Sequence, residues 1–109
     1  QSSEWAEVEH LFKSLASLEV PVVVYLTPYD HEEATRLLAP ADCERIRANA
    51  RALVARAASL GVTLHDLSLA LPHSAFDAPA GVSAEHLFPA GRLELIRRLK
   101  PSIKDAAGR

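Results

Sequence analysis

Two hydrophobic periods alternate along this chain. From Trp5 onward, Val8, Leu11, Phe12, Leu15 and Leu18 recur at helical spacing, with Glu7, Glu9 and Lys13 on the polar side. Ser2 and Ser3 are good N-caps for this helix, and Glu4 lies at the positive end of its dipole. The pattern then changes to an unbroken apolar, β-branched run, Pro21 to Leu26, which predicts a strand buried on both faces of a parallel sheet. Thr27 to Asp30 ends it, and Asp30 with Glu33 forms a capping box for a short helix over His31 to Leu38.

Pro40 punctuates the chain, and Asp42 and Glu44 load the start of a second long helix with negative charge. Ile46, Ala50, Leu53, Val54, Ala57 and Leu60 form its apolar face, and Gly61 is the expected stop. Its arginines (Arg45, Arg47, Arg51 and Arg56) read as a solvated face. Val62 to Leu67 predicts a second strand, followed by a long loop from Ser68 to Ser83. A last helix begins at Pro89, where a missing N–H costs nothing, and carries Leu93, Ile96 and Leu99 on one face. Pro101 is expected to close it, leaving 102–109 as a frayed tail.

The order helix, strand, helix, strand, helix implies an α/β fold with parallel strands. Two doubly buried strands make a poor sheet by themselves. The expectation is therefore one partial domain over residues 1–109, part of a three-layer α/β/α (flavodoxin-like) arrangement. Its exposed sheet edge would be completed by an upstream segment of the same domain or by a partner chain.

Composition narrows the function classes. A formal net charge of -2 over 109 residues gives no general attraction to nucleic acid or to an anionic membrane. The single cysteine, Cys43, excludes an internal disulfide and a multi-cysteine zinc site. No apolar run approaches the ~20 residues that span a bilayer. No Gly-rich phosphate loop follows either strand, so no nucleotide cofactor is expected. His31, His65, His73 and His86 lack metal-ligand spacing, and no metal is expected.

The candidate chemistry lies at the carboxyl ends of the strands and in the last block. Tyr29 and Asp30 follow the first strand at the end where parallel α/β sheets bind ligands, and are candidate substrate-binding residues. Capping alone also accounts for Asp30. His86 stands just ahead of the last helix, and its side-chain type suits general base work near neutral pH.

The runs VPVVVYLTPYD, GVTLHDLS and AEHLFPAGRLELIRRL resemble the last part of an SGNH (GDSL-like) hydrolase domain over about three quarters of the chain. The TPYDHEEATRLL and EHLFPAG stretches look most like the envelope-associated branch. That branch includes the D-alanyl-lipoteichoic acid transfer protein and the alginate O-acetylation proteins. The resemblance implies serine ester hydrolysis or acyl transfer on an acylated small molecule or polysaccharide, without a cofactor, and a cell-envelope location if the branch holds. It makes His86 the general base. The family's orienting aspartate, three residues earlier, falls on Ser83, which is a departure: serine accepts a hydrogen bond but does not stabilise imidazolium as a carboxylate does. Asp77 from the preceding loop, or a Ser–His dyad, are the alternatives. No Gly-Asp-Ser nucleophile block occurs, so these residues alone are expected to be inactive. A non-catalytic flavodoxin- or receiver-like binding module explains the elements equally well but not the His86–Gly91 block.

Overall fold

The computed structural model describes residues 3–76 and 87–108. The fold is mixed α/β. Among the described residues it contains α1 (Ser3–Ala16), β1 (Val24–Leu26), α2 (His31–Leu37), α3 (Pro40–Ser59), β2 (Leu64–Asp66), a 3-10 turn (His73–Ala75) and α4 (Pro89–Ala107). The two strands pair in parallel, with Val24 opposite Leu64, Tyr25 opposite His65 and Leu26 opposite Asp66.

One face of this pair is packed. Phe12 of α1, Ala57 of α3, and Val62 and Leu64 at β2 form the buried cluster, and Val8, Leu15, Val24, Leu26, Leu53 and Val54 close around it. The helical stripes of α1 and α3 meet the sheet through these residues, and Ala57 is fully covered. The small side chain at Ala57 lets α3 approach the sheet closely. Gly61 then reverses the chain into β2 with φ +84, a conformation that L side chains rarely adopt.

The ion pairs of α3 match a solvated arginine face. Arg45 reaches Asp42, Arg47 and Arg51 both reach Glu44, and Arg56 crosses to Glu9 of α1.

Three expectations are corrected. The strands are shorter than the apolar runs: pairing covers only Val24–Leu26 and Leu64–Asp66, Val20 and Val22 are exposed, and β1 is half-buried. With no third strand beside it among the described residues, a β-branched run has nothing to pair with beyond these positions.

The second correction is that Pro101 does not close the last helix, and residues 102–107 are not a frayed tail. α4 runs through Pro101 to Ala107, and Gly108 N–H bonds back to Lys104 O. Proline in a helix interior removes one backbone hydrogen bond. Along this continuation Ala106 is buried, and Ser102 and Ala106 line a cleft of about 600 Å³ together with Val20–Val24, Gly61 and His65.

The third concerns the face of α4. Leu99 is buried together with Gly91 and Ala106, whereas Leu93 and Ile96 are 63% and 58% exposed. The helix thus packs through Gly91, Leu99 and Ala106, so only Leu99 of the stripe read from sequence is covered while Leu93 and Ile96 face outward.

Candidate functional site

The loops leaving the two strands are joined at their carboxyl ends. Tyr29 N–H donates to Ser68 O at 3.1 Å. Asp66 terminates β2 by folding its carboxylate over the chain: Oδ1 accepts from Ser68 N–H at 3.0 Å and from Ser68 Oγ at 2.5 Å. That leaves Ser68 buried, with its hydroxyl committed. A cavity of about 240 Å³ opens beside this junction, lined by Leu26, Thr27, Tyr29, Arg47, Asn49 and Ser68 among others. Burial pushes the Tyr29 phenol above its ordinary pKa, partly offset by the nearby Arg47 guanidinium, so the phenol is neutral at physiological pH.

Asp30 lies at the centre of this corner. It is only 3% exposed, and both of its carboxylate oxygens are engaged. Oδ1 accepts from Glu33 N–H at 3.1 Å, which caps α2 as the sequence indicates. The reciprocal half of a capping box is not made; the Glu33 side chain pairs with Arg36 instead. Oδ2 lies 2.7 Å from Nδ1 of His73, which the 3-10 turn delivers from 43 residues further along the chain. The His73 side chain remains 56% exposed. A buried carboxylate thus orients an imidazole whose other edge faces solvent.

The same turn anchors the block that follows His86. Leu87 forms an antiparallel bridge with Phe76, and Phe88 N–H donates to Ala75 O at 2.9 Å. Arg92 returns a side-chain hydrogen bond to Leu87 O at 3.1 Å. Gly91 is needed here for space, because a Cβ at this position would lie 2.6 Å from Ala75 O. The Pro-Ala-Gly spacing of the block therefore has a steric explanation: α4 starts hard against the turn that carries His73.

Of the residues singled out from sequence, the structure brings Tyr29 and Asp30 to this corner, with Tyr29 half-buried and its ring edge-on to His31 at 6.3 Å between centroids. His86, Ser83 and Asp77 lie outside the described residues. Sequence reasoning weighed His73 only as a metal ligand and missed its pairing with Asp30. The one available signal was an aspartate already explained as a cap, and nothing in the spacing joins positions 30 and 73. Among the described residues, no group of three or more His, Cys, Asp or Glu is placed to hold a metal ion.

No protein-family model, curated protein or solved structure matches this chain.

Proposed function

We propose that this chain is the base-bearing portion of a serine ester hydrolase or O-acyltransferase of SGNH type, built on a three-layer α/β/α domain whose remaining strands extend the β1–β2 pair. The substrate class is an O-acyl ester of a small molecule or polysaccharide. The observation that carries this reading is the bridge between Leu87 and Phe76. It pins the residue following His86 three positions from His73, on the turn that Asp30 holds at the carboxyl end of the parallel strands. This supports the reading because it brings the block that resembles the family's last one beside the carboxyl ends of the parallel strands, where such sheets bind ligands. The cavity beside Tyr29 and Ser68 gives an acyl group an apolar wall, from Leu26 and Leu53, next to that corner. On this reading the nucleophilic serine and the oxyanion donors come from the rest of the domain.

The test is covalent labelling of the full-length protein with a fluorophosphonate. The expected result is one labelled serine outside residues 1–109, together with no turnover of nitrophenyl acetate by residues 1–109 alone. Absence of labelling in the full-length protein would overturn the ester reading and leave a non-catalytic α/β binding module.

A further inference from the structure

Resting on the ester-cleaving reading, we propose that the carboxylate-backed imidazole of this site is His73, with Nε2 as the proton acceptor and Asp30 as the residue that positions it.

Capping α2 occupies one side-chain oxygen, and Ser, Thr or Asn would do it as well as Asp. It requires neither a carboxylate nor its burial. Asp30 has both, and its second oxygen is spent on His73. Burying a carboxylate is unfavourable unless hydrogen bonds replace its hydration, and here Glu33 N–H and His73 Nδ1–H do so. An ionised carboxylate only accepts, so Nδ1 must carry the proton, and in the neutral ring the lone pair is then on Nε2. Nε2 makes no hydrogen bond among the described residues, and the side chain is more than half exposed. The result is an imidazole fixed in one tautomer with its basic nitrogen presented outward at the carboxyl end of the sheet.

This also accounts for the departure at Ser83. The carboxylate missing from the position where the resemblance expects it is present in the fold, on the loop after β1 and facing a different histidine. In the reaction, Nε2 takes the proton of the attacking serine hydroxyl as its oxygen bonds to the acyl carbon. The ester C–O bond then breaks, and the same proton passes to the departing alkoxide oxygen. The acyl group has moved to the serine, an alcohol has left, and His73 is neutral again. Asp30 stays ionised throughout and stabilises the transient imidazolium. Ser68, buried and donating to Asp66, takes no part in this step.

The experiment uses the full-length protein and three variants, His73→Gln, Asp30→Asn and His86→Ala, with circular dichroism as the fold control. Asparagine keeps the cap of α2 but offers its amide to Nδ1, which favours the tautomer protonated on Nε2 and so removes the acceptor. Fluorophosphonate labelling is expected to slow about 10²–10⁴-fold in both His73→Gln and Asp30→Asn, the usual range for a general base. Nitrogen-15 spectra should show His73 protonated on Nδ1 in the wild type and on Nε2 in Asp30→Asn, a change that a purely structural cap would not couple to labelling. Labelling that survives in His73→Gln but is lost in His86→Ala would overturn this assignment and leave the ester reading standing. A wild-type His73 protonated on Nε2 would overturn it as well. No labelling of the wild type would remove the ester reading and the assignment with it.

Discussion

The sheet face beneath α1 and α3 and the corner at the carboxyl ends of the strands are built by opposite means. The first is apolar and tight: Phe12, Ala57, Val62 and Leu64 are buried with no polar partner needed, and many small contacts hold them. The second is held by a few directional bonds: Tyr29 N–H to Ser68 O, Ser68 to Asp66, and Asp30 to both Glu33 and His73. Removing a side chain from the first should cost stability and leave chemistry aside. In the second, a change of one atom should alter chemistry at little cost in stability, because each hydrogen bond nets only about 1 kcal/mol. The two regions can therefore be separated by experiment.

The largest effect is expected from Phe12→Ala. Truncating a buried phenylalanine in a packed cluster should destabilise the fold by about 3–5 kcal/mol. Urea denaturation should show a lower midpoint with the slope nearly unchanged. A loss below 1 kcal/mol would mean that the α1–sheet contact is not the core. Next comes Gly91→Ala, where the added methyl would meet the Ala75 carbonyl and force α4 or the 3-10 turn to move. Overpacking of this kind costs about 1–3 kcal/mol. Because the turn carries His73, this variant should also perturb the His73 ring signals, which Phe12→Ala should leave in place if the comparison holds.

The third prediction lies within the corner. Asp30→Ala removes the cap of α2 and should cost about 1 kcal/mol, whereas Asp30→Asn keeps the cap and should come close to wild type in thermal stability. Equal losses from the two variants would mean that stability at this position depends on the pairing with His73 rather than on the cap.

What was legible in the sequence follows the same division. Periodic apolar residues showed α1 and α3 and the order of elements, because burial repeats with the geometry of the helix and leaves a pattern. Gly61 was legible because only one backbone conformation fits that stop. The strand lengths were not, since the apolar run from Pro21 to Leu26 is the same whether or not neighbours pair with all of it. The side of α4 that packs was also hidden. Leu93 and Ile96 are exposed while Leu99 of the same stripe is buried, because the side that packs runs through Gly91 and Ala106, and a Cβ at Gly91 would meet Ala75 O. Within the site, Asp30 was visible as a cap and as a residue at the ligand end of a strand. Its partner was not, because a hydrogen bond spanning 43 positions has no local signature.

The smallest predicted effect lies on the exposed surface of α3. Hydrogen bonds from Arg51 and Arg47 hold the Glu44 carboxyl below its usual pKa. A folded-state pKa lower than the unfolded one means that folding favours the ionised form. The contribution is therefore present above the ordinary carboxylate range and lost as pH falls through the lowered value. Replacing Glu44 by Gln removes this titration, so the stability difference between wild type and Glu44→Gln should be small at neutral pH and vanish in acid. Both guanidinium contacts are solvent-exposed, and added salt should shrink the neutral-pH difference further. A difference that persisted in acid would place the effect in side-chain packing along α3 rather than in charge. Glu44 would then belong with the apolar half of the comparison.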